Sequence, residues 1–290
     1  MLTVPRAFPH HGRPDVVPHA PVTPVWPTSV GTGIIATVLA GGIAVTALRA
    51  GSLSPSGAVA ATLVGAVAMM AGRPWGVFLV GWFVVASVAS RLGRERKLVH
   101  AGDVVEKGAA RDAAQVGANG GVFAVAAVVA LVWPAQARAA ALAAAGALVA
   151  AGADTLATEI GTLWRGRPFS LRRWTRVPAG TSGAVSLAGS AGMLVAAAGL
   201  AWMATVVGLV PIDALGAVTV AGVAGAATDT IIGAWWQARR WCPACHRETE
   251  QRVHRCGAST QPHGGVAELT NDAVNALCTV VGAAVAVFWR

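Results

Sequence analysis

The sequence predicts an all-α, polytopic integral membrane protein with about eight transmembrane helices. Three observations predict it. Of 290 residues, 55% are hydrophobic and 12% are charged, with a mean hydropathy of +0.60; soluble domains carry roughly 25% charged residues. The apolar residues form long unbroken runs without the two-residue alternation of a strand, which excludes an outer-membrane barrel. The charges fall mainly in short connections between those runs, as topology signals do. The same composition excludes intrinsic disorder and an ordinary soluble enzyme.

The elements follow in order. Residues 1–29 are rich in Pro and His and too irregular for the apolar core of a cleavable signal, so they read as a flexible tail. Residues 30–290 then form one transmembrane catalytic domain. Its apolar runs lie at 30–48, 56–72, 74–90, 114–133, 139–160, 183–209, 211–236 and 273–289. A crossing takes about 20 residues, so eight spans fit. The second and third are short and are parted only by Gly72-Arg73-Pro74; they read as two spans or as a re-entrant pair.

Lys and Arg number 22 against 13 Asp and Glu, a net charge of +9. Such an excess suits nucleic acid, but its placement in loops assigns it to membrane orientation instead. One loop holds Arg91, Arg94, Arg96, Lys97, Lys107 and Arg111, a second Arg165, Arg167, Arg172, Arg173 and Arg176, and a third Arg239, Arg240, Arg247, Arg252 and Arg255. Two spans separate each from the next, so the three share one face, which the bias places in the cytoplasm. Eight spans put both termini outside, and Arg6 and Arg13 run against that assignment. The expected location is a bacterial-type plasma membrane.

Polar residues within the apolar runs are costly and mark function. Asp154 and Glu159 stand in ADTLATEIG at the end of the fifth run, and Asp229 in GAATDTIIGAWWQ at the end of the seventh. Arg111, Gln115 and Asn119 are spaced i, i+4, i+8, a single stripe if helical. Gly180, Thr181, Ser182 and Gly183 read as a backbone-donor loop at a helix start. Asn271, Asp272 and Asn275 open the eighth run, and Asp229, Gly233 and Gln237 repeat the i, i+4 spacing. All point to one cytoplasmic pocket. Carboxylates with amides and hydroxyls suit Mg²⁺, which binds few carboxylates together with substrate phosphates. Lys107 and Arg111 suit phosphate oxygens. The inventory therefore describes a Mg-nucleotide or polyphosphate site for phosphoryl transfer. No Walker or protein-kinase motif is present in the sequence.

Blander readings take the rest. Small-residue runs such as ALAAAGALVAAGA serve helix packing. The Arg-rich loop at 165–176 reads as topology signal and headgroup contact. A cytoplasmic loop at about 237–270 contains WCPACHRETEQRVHRCG, in which Cys242, Cys245, His254 and Cys256 are either ligands for a structural Zn²⁺ or a reduced, metal-free cluster that packs the loop. His246 is a spare ligand, and Cys278 reads as core.

These motifs resemble the integral-membrane phytyl-phosphate kinases and their bacterial, archaeal and animal relatives. The matching pieces are SPSGAVAATLVG (54–65), KGAARDAAQVGANGG (107–121), ADTLATEIG (153–161), VPAGTSGAVSLAG (177–189), GAATDTIIGA (225–234), the C-x-x-C…H-x-C loop and NDAVN (271–275). They occur in family order. Ser182 stands where relatives commonly have Asn, and Thr230 where they have Ser; both keep a small polar group. The paired Asp-bearing span ends and the glycine loop look more remotely like CTP-dependent polyprenol kinases and CDP-diacylglycerol synthases.

The resemblance implies phosphoryl transfer from a nucleoside triphosphate, CTP or another, to an isoprenoid lipid monophosphate. In that reading Asp154, Glu159 and Asp229 hold Mg²⁺, and Lys107, Arg111 and the loop 180–183 hold phosphates. Asn119, Asn271, Asp272 and Asn275 complete the shell. A cytidylyltransferase that forms CDP-lipids and a transporter of a polar or anionic solute are the rival expectations.

Overall fold

The computed structural model describes residues 30–93, 110–164 and 166–289. Among them are eight α-helices: α1 (Val30–Arg49), α2 (Pro55–Ala71), α3 (Arg73–Arg91), α4 (Ala113–Val132), α5 (Ala137–Leu163), α6 (Leu187–Val206), α7 (Leu215–Trp235) and α8 (Asn271–Phe288). Seven are long and apolar enough to cross a membrane. The exception, α2, has 17 residues, or about 26 Å of rise, close to the ~30 Å hydrocarbon core. The protein is a polytopic helical membrane protein, as its composition predicts. The tail 1–29 and the loop positions Arg94, Arg96, Lys97, Lys107 and Arg165 lie outside the described residues.

Two small antiparallel sheets sit at one end of the bundle. The first, β1 (Phe169–Ser170), β2 (Thr175–Arg176) and β3 (Ala184–Val185), is ordered β2-β1-β3 between α5 and α6. The second, β4 (Arg239–Cys242), β5 (Arg247–Thr249) and β6 (Gln261–Gly264), is ordered β5-β4-β6 between α7 and α8. Helices α2, α4, α6 and α8 begin at this end, and each is capped by a side chain. Ser54 accepts from Gly57 N–H, Asp112 from Gln115 N–H, Ser186 from Gly189 N–H and Thr270 from Ala273 N–H. Helices α3, α5 and α7, which begin at the other end, have no side-chain cap bond. Four positive helix ends therefore gather on the face that carries the basic loops.

Three boundaries differ from the expected ones. Asp112 and Gln115 form a reciprocal capping box, so α4 starts at Ala113 and Arg111 precedes it, paired in a bridge with Leu53; the stripe continues on the helix only as Gln115 and Asn119. Residues 184–186 are strand and cap, so the loop 180–183 is not a helix start. The fifth helix runs to Leu163, which puts Asp154 and Glu159 inside it rather than at its end.

Helix α5 is the axis of the bundle, packed on α3, α4, α6, α7 and α8. Of its apolar window 61% is buried, against 22–39% in the other six spans. Small residues permit this, from Ala144 through Ala153. Where α5 crosses α8 the contact is backbone on backbone: a Cβ on Gly146 would lie 2.3 Å from the Gly282 carbonyl oxygen, and one on Gly282 2.5 Å from that of Gly146. Exposed tryptophans mark both rims, Trp164, Trp174, Trp235 and Trp236 at the sheet end and Trp133 and Trp289 at the other, as interfacial belts do. Reporter tags at 94–100, 167–173 and 247–260 are expected to be read from the cytoplasm in every case. A tag in any one of them reporting the exterior contradicts the shared face.

Candidate functional site

Three carboxylates from three elements meet near the sheet end. Asp154 comes from α5 and Asp229 from α7, and both lie in the field of one another; Glu250, just past β5, acts on Asp229 as a third like charge. The approach of the two helices is set by Gly225, one turn before Asp229, where a Cβ would lie 2.4 Å from that of Ala150. Cys278 on α8 lies in the field of both aspartates, which puts Asn275, about one turn earlier, near the same side of α8; Asp272 is six residues back and about 120° around the helix. Asn271 is exposed and Asp272 and Asn275 half-buried. Asp229 Oδ2 is buried with no hydrogen-bond partner among the described residues. Like charges gathered around a buried oxygen without a donor form an environment that favours a cation.

The loop 180–183 reaches this centre by a tight approach to α7. Gly183 has φ +67°, and a Cβ there would sit 2.2 Å from Ala234 Cα, so only glycine fits. Its neighbour Ser182 donates to Glu250 Oε1, and Gln237 Nε2 donates to the same oxygen at 3.0 Å. Gly180 is also left-handed, and the Thr181 hydroxyl turns back onto the Pro178 carbonyl at 2.8 Å. Arg173 pairs with Glu248 on β5, tying the first sheet to the second. Glu250 is the residue that sequence reasoning missed. Its signal was faint: a carboxylate following a strand whose Thr249 is buried.

Glu159 faces elsewhere. It is five residues from Asp154, about 140° around the helix, and acts on Arg111. Burial lowers the Arg111 pKa, and the negative charge of Glu159 raises it. The guanidinium donates to Ser87 and Ser90 of α3, each at 3.3 Å, and lies 5.8 Å from the Phe83 ring centroid. Among the described residues its side-chain hydrogen bonds are to neutral hydroxyls, and Glu159 supplies the negative charge that acts on it. Asn119 lies on the same wall of α4 as Gln115. Lys107 is outside the described residues.

The Cys/His loop folds into two facing turns, one at the end of β4 and one at 253–259. The Sγ atoms of Cys242, Cys245 and Cys256 and a ring nitrogen of His254 all lie within 4.8 Å of one another. Cys242 Sγ and Cys256 Sγ are 3.7 Å apart, and His254 Nδ1 is 3.2 Å from Cys256 Sγ. A zinc tetrahedron with ~2.3 Å Zn–S bonds has S···S edges of about 3.8 Å, so the four residues fit that ion. The hydrogen bond from His254 is the main cause that lowers the Cys256 thiol to about 6. The one with Cys256 is the main cause that raises Cys245 to about 11. His246 stacks edge-on against Trp241 instead. Cys278 is core, 1% exposed.

The predicted site residues among the described residues thus form two groups toward one face: Asp154, Asp229, Ser182 and Gly183 with Glu250, and Glu159 beside Arg111; Asp272 and Asn275 stand in the first turns of α8 at the same end. Residues 38–283, most of the chain, match the family described as integral membrane protein DUF92. No curated protein and no solved structure matches.

Proposed function

The chain belongs to the DUF92 family of integral membrane proteins, and from that premise we propose that it is a phosphotransferase acting on an isoprenoid lipid monophosphate. The donor is a nucleoside triphosphate, CTP or another, and the product is the lipid diphosphate. The motifs that resemble phytyl-phosphate kinases all fall within the matched stretch. The observation that carries the reading is the meeting of Asp154, Asp229 and Glu250 with the orphaned Asp229 Oδ2. These carboxylates would hold Mg²⁺, which neutralises phosphate charge when bound. Glu159 stands apart from them on α5 and acts on Arg111.

The acceptor is already an anion, so the residues here need not remove a proton from a hydroxyl. Their task is to bring two polyanions together. Arg111 offers a cation to the acceptor phosphate, with Asn119 beside it. Ser182 and Gly183, held against α7, place hydroxyl and backbone donors near Asp229, and Gly180 and Thr181 shape that turn. Asn271, Asp272 and Asn275 supply amide and carboxylate groups at the start of α8. The acceptor oxygen then attacks the terminal phosphorus, the bond to the bridging oxygen breaks, and nucleoside diphosphate leaves. Lys107 joins the phosphate contacts in this reading. The site faces the cytoplasm of a bacterial-type plasma membrane, where nucleotides are found.

The Cys242, Cys245, His254 and Cys256 cluster is assigned a structural Zn²⁺. Its role is to hold the segment that delivers Glu250. Metal–triphosphate chemistry of this kind also serves CDP-lipid synthesis, and products separate the two. Purified protein with labelled nucleotide and a panel of prenyl monophosphates is expected to yield nucleoside diphosphate and prenyl diphosphate. Pyrophosphate with a CDP-lipid would establish the cytidylyltransferase instead, and no turnover by folded protein would overturn both.

A further inference from the structure

An apolar groove lies between α1, α2, α3 and α4. Ile43 and Ala44, Val64 and Met69, and Leu79 and Phe83 supply its walls from the first three helices. The fourth wall differs: Arg111, Gln115 and Asn119 line it with Val116 and Gly120. From Ala113 to Gly120 the helix rises about 12 Å, so the groove runs from the basic face toward the middle of a ~30 Å bilayer core. Trp82 also lines it, is 6% exposed, and has an indole N–H with no hydrogen-bond partner among the described residues.

We propose that this groove holds the hydrocarbon tail of the anionic lipid acceptor, with the phosphate at Arg111. The proposal rests on the phosphotransfer reading above and names the subsite that reading leaves open. Charge complementarity selects the occupant. An apolar groove whose wall carries, among the described residues, the Arg111 cation, with side-chain hydrogen bonds to the neutral hydroxyls of Ser87 and Ser90, matches a single-chain amphiphile with an anionic head. Glu159 of α5 acts on that cation, so a phosphate at Arg111 lies beside the helix that also carries Asp154.

Photolabelling of the full chain in liposomes tests this, with a geranylgeranyl monophosphate carrying a terminal diazirine. Labels are expected on α1–α4 in residues 40–47, 61–69, 79–83 and 116–120, and excess geranylgeranyl monophosphate is expected to remove them. Labels on α6 or α7 instead would overturn the proposal. So would equal displacement by phosphatidylglycerol, which would mark ordinary bilayer lipid. Val64→Trp narrows the groove and is expected to raise KM about tenfold for geranylgeranyl monophosphate, the equivalent of losing roughly two buried methylenes. The rise for dimethylallyl monophosphate should be smaller, and an equal rise for both acceptors counts against the groove. If the wild type labels as expected but turns over no prenyl monophosphate, the binding site stands and the kinase reading fails.

Discussion

Asp154→Asn and Asp229→Asn are each expected to lower prenyl-phosphate turnover on the order of 10²-fold or more, with the protein still folded. A metal that bridges phosphates supplies several kcal/mol of charge stabilisation, and 10²-fold corresponds to about 2.7 kcal/mol. Asparagine keeps the size of the side chain and removes one of the negative charges that meet at Asp229. Thermal melting gives a second readout independent of catalysis. With chelator present, Asp229→Asn should melt above the wild type, because repulsion from Asp154 and Glu250 is relieved. Added Mg²⁺ should raise the wild-type melting temperature and move the variant far less, since ligand stabilisation grows with the affinity of the folded state. Asp213 is the control. It pairs with Arg138 at 3.5 Å, both exposed, at the opposite end, and Asp213→Asn should change neither readout much. Full activity in both span variants would dismiss the metal site.

Cys245→Ser is expected to remove about one equivalent of zinc and loosen the whole segment between α7 and α8. Structural zinc supplies roughly 10–16 kcal/mol of apparent binding energy in isolated zinc-finger peptides, far more than three short strands contribute in water. The loss should appear as faster proteolysis within 243–260 and as reduced turnover, because Glu250 no longer meets Ser182 and Gln237. Glu250→Gln separates the two effects: zinc content stays at one equivalent while turnover falls. A wild type purified without chelators that contains no zinc would return the cluster to a packing role. An active, zinc-free Cys245→Ser would detach it from the site.

What the sequence discloses depends on how local the governing interaction is. The eight helices were legible because each is an apolar run of about membrane length, and their shared face because arginines cluster in alternate loops. Asp154 and Asp229 stood out against apolar neighbours. The start of α4 was readable in principle, since Asp112-x-x-Gln115 is a capping-box pattern, but the i, i+4 stripe led past it. The separation of Glu159 from Asp154 also follows from helical periodicity alone. Glu250 did not stand out, because it sits in a polar segment among other charges and acquires its position only when two facing turns and two sheets come together. The axial place of α5 was hidden for a related reason. Alanine and glycine mark close packing without naming the partner.

The crossing of α5 and α8 bears on which sequence changes can compensate one another. At most buried contacts a larger residue can be answered by a smaller one opposite. Here the atoms that face Gly146 and Gly282 include each other's carbonyl oxygens, and no side-chain change elsewhere can shrink a carbonyl. A methyl group at either position is accommodated only if one helix shifts, carrying Cys278 away from Asp154 or the reverse. Suppressors of Gly146→Ala would therefore have to act on the separation of the two helices, and the two glycines constrain sequence drift in a way that no pairwise exchange relieves.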